Sequence, residues 1–205
     1  THRSLLSVIP ILKRLKLSGP SVISGGARII DAQTYRVLWE KTIDERDFFR
    51  IIKIIENMDV EIFFTENEES RKYRENYQPR RILEIGIYAF EESAADKLIE
   101  KLSAIERITP HKVLSLDPSK YGIVITHSEA TKQYGIFEVA KILKINTHDI
   151  IGIGDSYNDF PLLMACGLKV AIGNAVDELK EISDYIAPSV YEDGVAEVIN
   201  KFVLC

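Results

Sequence analysis

The stretch GIGDSYNDFPLL, residues 152–163, decides the fold of this 205-residue chain. The apolar run at residues 150–153 predicts a short buried strand, and Gly154 allows a tight turn directly after it. In open parallel sheets, ligands bind beyond the carboxyl ends of the strands, so Asp155 is placed to face a ligand crevice. A plainer interpretation also stands, in which Asp155 belongs to a turn and Asp159 caps the helix that follows.

The rest of the C-terminal part repeats this alternation of short apolar runs and helical segments. Apolar runs at 170–172 and 185–187 are each followed by a helical pattern, which is typical of a parallel sheet with crossover helices. Upstream, Thr131 is positioned to cap a helix whose apolar residues recur at helical spacing. Residues 128–205 are therefore predicted to be α/β.

The first 43 residues are interpreted as another part of the same sheet. Residues 5–15 predict a helix that Pro10 splits or kinks. Val22 and Ile23 predict a strand, and after two glycines residues 27–30 are expected to form a hairpin with residues 36–39. Residues 44–127 follow a different pattern: helix, strand, strand, helix, strand, strand. We therefore predict an inserted α+β domain at 44–127, between core segments 1–43 and 128–205.

The composition excludes some classes of function. The chain has 31 acidic and 26 basic residues, a net charge of −5, without the basic excess that binding to a phosphate backbone requires. No apolar run approaches the roughly 20 residues of a membrane-spanning helix. Cys166 and Cys205 predict no disulfide framework. We expect a cytoplasmic protein that binds neither nucleic acid nor membrane.

Lys132 adds a second chemical signal. It occupies the first turn of its predicted helix, where the helix dipole disfavours a cation by a few tenths of a kcal/mol. One helix and one strand separate it from Asp155, so the two side chains can meet at one end of the sheet. Taken alone, a lysine at a helix start is more often a solvated charge.

Together these residues resemble the haloacid dehalogenase-like hydrolases, specifically the Cof-type phosphatases with a type IIB cap, over nearly the whole chain. The residues at 154–159 resemble the fourth motif of that family, Thr131-Lys132 the third, and Thr1-His2-Arg3 the second. Further short matches lie at residues 24–27, 173–175 and 192–196. The resemblance implies a Rossmann-like parallel core, an inserted cap and Mg²⁺-dependent hydrolysis of small phosphorylated metabolites.

The resemblance also implies roles for single residues. Asp155 would bind Mg²⁺, and Asn158 and Asp159 would complete or support the metal and lysine site. Lys132 would offset charge on the nucleophile and the phosphoryl group, and Thr1 would bind a phosphoryl oxygen. Asn174 is expected to contact substrate. These roles answer a physical need, because a phosphate dianion repels a carboxylate nucleophile unless cations and donors screen it.

The chain departs from the family pattern in one decisive respect. No Asp-x-Asp occurs in the 205 residues, so the nucleophile, the acid/base and one metal ligand of the family are absent from them. His2, Gly25 and Gln133 are milder departures. We expect a first strand with its crossover, about 30 residues, to be missing, and the sheet edge left exposed to allow a homodimer. A phosphomutase and a non-catalytic metal-binding or partner-binding protein remain alternatives.

A basic segment of the predicted cap is a candidate for substrate recognition. Arg71 and Arg74 lie in a run of basic residues and tyrosines between 71 and 81. Arginine pairs well with phosphate and carboxylate groups. Glutamates are interleaved with them, so a solvated surface is the alternative interpretation.

The missing Asp-x-Asp yields a direct test. We expect the purified 205-residue chain to show negligible hydrolysis of p-nitrophenyl phosphate, because loss of a covalent nucleophile removes a whole step of the mechanism. Turnover that Asp155→Ala abolishes would contradict this assignment of the chemistry.

Overall fold

The computed structural model describes residues 1–74, 77, 80–115 and 120–204. Within them the helices are α1 (Leu5–Leu15), α2 (Glu45–Ile55), α3 (Glu92–Leu102), α4 (Lys132–Leu143), α5 (Phe160–Ala165), α6 (Asp177–Glu181) and α7 (Gly194–Phe202). The strands are β1 (Pro20–Ile23), β2 (Arg28–Asp31), β3 (Val37–Glu40), β4 (Glu61–Glu66), β5 (Glu69–Lys72), β6 (Ile82–Phe90), β7 (Ile108–Leu114), β8 (Tyr121–His127), β9 (Ile151–Gly154), β10 (Leu168–Ile172) and β11 (Tyr185–Ala187). None of these helices has both the length and the apolar character that crossing a bilayer requires.

The chain forms two compact units, Thr1–Val139 and Ala140–Cys205. The boundary between them falls inside α4. The predicted division into segments 1–43, 44–127 and 128–205 concerns the insertion of one domain into another and stays a prediction.

In the first unit, β1, β2 and β3 form an antiparallel sheet in that order. The predicted strand and hairpin are present, but the structure pairs β1 antiparallel with β2 and not in a parallel arrangement. The loop at residues 24–27 is short enough to return the chain directly, which favours antiparallel pairing. Helix α1 packs Leu5, Val8 and Leu12 against this sheet. It runs unbroken through Pro10, so Pro10 does not split the helix, and a kink there stays a prediction.

The same unit contains a five-stranded sheet in the order β5-β4-β6-β8-β7, antiparallel throughout. One face packs against α2 and α3, with Ile85, Ile87, Ile123 and Ile125 in the shared core. Side chains alternate between the two faces of a strand. On β6 and β8 these odd-numbered residues therefore lie on the face toward the helices, and the even-numbered residues lie on the opposite face. The predicted helix and strand order of this module is confirmed, and sequence analysis missed only β5 among the described strands.

A buried ion pair between β2 and β3 of the first sheet is connected to the second sheet by further hydrogen bonds. Arg28 of β2 is 4% exposed and donates Nε–H to Oε2 of Glu40 at 2.7 Å. Arg81, just before β6, also donates to Glu40, and the carbonyl of Asn67 accepts from Arg28. Because the buried charges are paired and hydrogen-bonded, they are tolerated in the interior and hold the sheets in one arrangement.

The second unit is the parallel part of the fold. Strand β10 pairs in parallel with β9 on one side and β11 on the other. Leu163 of α5 and Leu179 of α6 pack with Ala171 of β10, and Val198 of α7 packs with Val170. The predicted α/β character of this segment is confirmed, and the mixed architecture is that of a Rossmann-like core with a cap.

The approach of the Gly26 backbone to α4 supplies a stability test. A Cβ at Gly26 would lie 2.2 Å from the carbonyl oxygen of Thr131, and its φ of +112° disfavours a side chain. We expect Gly26→Ala to lower the free energy of unfolding by roughly 2–4 kcal/mol, measured by urea denaturation. Gly19→Ala is the matched control, because Gly19 also has positive φ but nothing within 4 Å of a new Cβ. Gly19→Ala should lower the free energy of unfolding only by the roughly 1–2 kcal/mol that a side chain costs in left-handed backbone. Equal losses of stability in the two variants would refute the steric explanation.

Candidate active site

The acidic turn after β9 is built around a buried carboxylate. Asp159 is 5% exposed, and its Oδ2 accepts the backbone N–H groups of Asp155 at 3.0 Å and Ser156 at 3.3 Å. Gly154 permits this packing, because a Cβ there would lie 2.5 Å from the Asp159 Cβ. Asp159 is the acid of a capping box whose N-cap is Ser156, and as the residue before α5 it makes no side-chain capping bond, so its predicted capping of that helix is not observed. The buried carboxylate instead fixes the backbone that presents the exposed Asp155.

The donor chemistry of this turn suits a hard cation. Asp155 offers a carboxylate at the end of β9, and Asn158, 9% exposed, offers an amide oxygen three residues later. Oxygen ligands of this kind are those that Mg²⁺ prefers, completed by water and substrate oxygens. Within the described residues, no group of three or more His, Cys, Asp or Glu side chains is arranged to hold a metal. The two residues fit Mg²⁺ as part of a ligand set.

Asn174 has a local structural contact in the same unit. It follows β10, and its Oδ1 accepts the backbone N–H of Val190 at 2.9 Å. That hydrogen bond orders the segment between β11 and α7. A contact of Asn174 with substrate stays a prediction.

The first unit places Thr1 beside the glycine pair Gly25–Gly26. The carbonyl of Thr1 accepts from the Gly25 N–H at 2.9 Å, and the carbonyl of Arg3 accepts from the Ser24 N–H at 3.0 Å. The Thr1 hydroxyl oxygen accepts from the Arg3 N–H at 3.3 Å. The backbone of residues 1–3 is thereby held against the loop that follows β1.

The other side of the glycine pair touches the start of α4. Gly26 lies against the carbonyl of Thr131 and the backbone nitrogen of Lys132. Thr131 is buried and its Oγ1 accepts from the Tyr134 N–H at 3.5 Å, as the predicted cap. Lys132 is the first residue of the helix and is half-buried. Within this unit the structure brings Thr1 and Lys132 to the same loop.

Sequence analysis missed a histidine–glutamate pair at this loop. The His2 Nδ1 and the Glu84 Oε2 are 2.5 Å apart, and a Cβ on Gly25 would fall within 2.8 Å of both side chains. Glu84 lies on β6, far from His2 in sequence. The only signal in the sequence was His2 itself, which stands where the family pattern has glycine.

His111 was also missed, because it has no chemical partner near it in sequence. Burial, reinforced by the charges of His2 and Lys132, lowers the pKa of His111 to about 4. Its imidazole is therefore neutral near pH 7. The shared electrostatics place His111, His2 and Lys132 in one neighbourhood of this unit.

The basic segment is largely paired where the structure describes it. Arg71 lies 3.0 Å from Glu69, Lys72 lies 2.6 Å from Glu61, and Arg81 contacts Glu40. Burial and a hydrogen bond to Glu66 raise the pKa of Tyr77 to about 12. These pairs give structural partners to Arg71, Lys72 and Arg81, and substrate recognition by Arg71 or Arg74 stays a prediction.

Comparisons with known proteins agree on one family. A family model for haloacid dehalogenase-like hydrolases matches residues 1–120 and 70–199. A 5-amino-6-(5-phospho-D-ribitylamino)uracil phosphatase of Bacillus subtilis is 27% identical over 209 residues, covering 100% of this chain and 80% of the relative. A phosphoglycolate phosphatase of Saccharolobus solfataricus is 38% identical over 90 residues, 44% of this chain and 40% of the relative. A solved subclass IIB sugar phosphatase is similar in fold, with TM-score 0.78, 17% identity, and coverage of 100% of this chain and 84% of the other.

The lowered pKa of His111 predicts a pH dependence of stability. Its folded pKa of about 4 lies below the roughly 6.5 of an unfolded histidine, so the unfolded chain binds the extra proton between these values. The contribution is present above about pH 6.5 and is lost as pH falls toward 4, with an upper limit of roughly 3 kcal/mol.

Urea denaturation between pH 7.5 and 4.5 tests this dependence. We expect His111→Gln to flatten the fall in stability, since glutamine does not titrate. The exposed His148 supplies the control, and His148→Gln should leave the wild-type curve unchanged. Coincident curves for all three proteins would contradict the buried, neutral assignment of His111.

Proposed function

Because the chain belongs to the haloacid dehalogenase-like hydrolases, we propose that its protein is a Mg²⁺-dependent phosphatase of small phosphorylated metabolites. The architecture, a Rossmann-like core with a type IIB cap, is that of the Cof-type members. Relatives of this chain are phosphatases of a ribitylamino-uracil phosphate and of phosphoglycolate. Both are phosphoric monoesters of small molecules, which supports this class of substrate.

The observation that carries the proposal is the turn at residues 154–159. A buried carboxylate, Asp159, receives two backbone N–H groups and leaves the neighbouring Asp155 exposed at the end of a parallel strand. A turn with only a structural role needs Asp159 to accept the backbone hydrogen bonds, but it does not need an exposed acid at position 155. An exposed acid held in place by a buried one is suited to binding a cation.

In phosphoryl transfer, the acidic and amide residues would bind the cation, and the basic and hydroxyl residues would bind the phosphoryl group. Asp155 and Asn158 would hold Mg²⁺, which supplies charge neutralisation at the phosphoryl oxygens when bound. Lys132 would bind the phosphoryl group and lower its repulsion toward an attacking carboxylate. Thr1 would donate its hydroxyl to a phosphoryl oxygen. Asp159 would act as a positioning residue for Asp155.

The nucleophile is the part of the mechanism that these residues do not supply. The 205 residues contain no Asp-x-Asp, so we propose that the attacking carboxylate and the general acid come from sequence outside them. Dimer formation and cytoplasmic location stay predictions.

A magnesium titration of the protein that carries the Asp-x-Asp segment tests the proposal. We expect activity toward p-nitrophenyl phosphate to require Mg²⁺. Asp155→Asn should raise the Mg²⁺ concentration for half-maximal activity about tenfold or more, because one anionic ligand is lost. Lys132→Ala should reduce kcat about 100-fold even at saturating Mg²⁺, since its charge acts on the transition state.

An exposed lysine of the same helix gives the control. Lys141 lies in the last turn of α4, and Lys141→Ala should retain wild-type kinetics. Full activity in the presence of a chelator, or a Lys132→Ala enzyme with wild-type kcat, would refute the assignment.

A further inference from the structure

The segment Thr1–Arg3 carries the hydroxyl that would bind a phosphoryl oxygen, and its geometry depends on the residue in its middle. The N–H of Arg3 donates to the Thr1 Oγ1 at 3.3 Å. This N–H belongs to the planar peptide group between His2 and Arg3, so its direction follows the backbone angles at His2. A rotation of the backbone at His2 therefore moves the group that orients the Thr1 hydroxyl.

The side chain of His2 is fixed by a residue of the five-stranded sheet. Its Nδ1 lies 2.5 Å from the Oε2 of Glu84, and both side chains are largely buried. The carboxylate accepts from Nδ1–H, a donor that the charged ring and one neutral tautomer both carry. Glu84 lies on β6, which pairs with β4 on one side and with β8 on the other. The sheet therefore gives the imidazole a rigid support.

Gly25 brings this pair against the loop that binds Thr1. A Cβ on Gly25 would lie 2.6 Å from the Glu84 Oε2 and 2.8 Å from the His2 Nδ1, and the φ of Gly25 is +67°. The N–H of the same glycine donates to the Thr1 carbonyl at 2.9 Å. The His2–Glu84 contact and the backbone bond to Thr1 thus meet at one residue that has room for no side chain.

The burial of Glu84 gives the contact a second meaning. Glu84 is 7% exposed, and within the described residues its carboxylate is hydrogen-bonded to His2. A carboxylate loses its hydration on burial, which is costly unless a donor replaces the water. A buried pair of this kind contributes little net stability compared with apolar residues, but its directional bonds fix the partners in one arrangement. The pair is therefore suited to holding His2 in place.

We propose that Glu84 is a positioning residue for phosphoryl transfer, and that it acts through His2 on the hydroxyl of Thr1. This inference rests on the proposed phosphatase function and adds to it a residue that does not itself bind the phosphoryl group. The geometry of the hydroxyl would be set by the Arg3 N–H, by His2 and by Glu84 in turn. Such a donor tolerates little displacement, because a misplacement of about 1 Å can lower a rate about 100-fold.

A double-mutant cycle tests whether Glu84 acts through Thr1. The protein that carries the Asp-x-Asp segment is assayed with p-nitrophenyl phosphate at saturating Mg²⁺. We expect Glu84→Ala to lower kcat/KM about 10- to 30-fold. In a Thr1→Val background, which already lacks the hydroxyl, Glu84→Ala should lower kcat/KM less than about twofold further, because residues that act as one unit are not additive.

Inhibition by inorganic phosphate gives a readout of binding alone. The hydroxyl of Thr1 would contact the phosphoryl group before any bond breaks. Glu84→Ala should therefore raise the inhibition constant of inorganic phosphate about threefold, which is the effect of one hydrogen bond. In the Thr1→Val background this constant should not change further.

Three more variants separate positioning from charge and from stability. Glu84→Gln keeps an oxygen acceptor for the Nδ1–H without the charge, so it should retain kcat/KM within about threefold of the wild type. His2→Ala removes the link and should match Glu84→Ala in its kinetics. Asp47→Asn is the control, because Asp47 is a buried acid of α2 whose carboxylate accepts from Arg107 at 3.0 Å. It should lower the midpoint of urea denaturation and leave kcat/KM unchanged.

The outcomes separate the positioning role from the function on which it rests. If Glu84→Ala has wild-type kcat/KM, or lowers it equally with and without the Thr1 hydroxyl, the positioning role is refuted and the phosphatase proposal stands. If Glu84→Gln loses as much activity as Glu84→Ala, the charge acts and not the hydrogen bond, which also refutes the role. If Glu84→Ala does not fold, His2→Ala carries the same test in the same background. If the wild type shows no Mg²⁺-dependent hydrolysis, both proposals fall.

Discussion

The close approach of backbone at the glycine pair Gly25–Gly26 is the constraint on which the first unit depends. On one side, Gly26 leaves no room for a side chain against the carbonyl of Thr131. On the other, Gly25 at φ +67° lies where His2 and Glu84 meet. Only glycine combines a positive φ with contacts of this kind at low cost. The loop thereby joins the segment of Thr1, the start of α4 and strand β6 within one small volume.

Buried carboxylates have structural roles in both units. Asp159 satisfies the backbone of the turn that presents Asp155, and Glu40 satisfies Arg28 and Arg81 between two sheets. In each case the acid accepts hydrogen bonds from fixed donors, which offsets its desolvation. An acid used in this way is separate from one that contacts a ligand. By this distinction Asp159 has a structural role in the turn, and cation binding by Asp155 stays a proposal.

The sequence by itself determined the elements whose signals are local. Apolar runs at 150–153 and 170–172 predicted parallel strands, apolar stretches predicted β6 and β8, and Thr131 predicted the start of α4. The acidic turn was recognisable for the same reason, because the hydrogen bonds from the Asp155 and Ser156 backbone to Asp159 join residues close in sequence. Strand β5 was missed because it is short, charged and exposed, so it lacks the apolar residues by which the other strands were predicted.

Only the tertiary structure decided which distant residues share a surface. His2 and Glu84 are 82 positions apart, and His111 has no chemical partner near it in sequence. Their meeting depends on the register of β6, β7 and β8 and on the path of the loop at Gly25, neither of which a single residue encodes. The antiparallel pairing of β1 with β2 was likewise decided by the short return at residues 24–27. Side-chain neutrality at His111 follows from burial, which is a property of the folded chain alone.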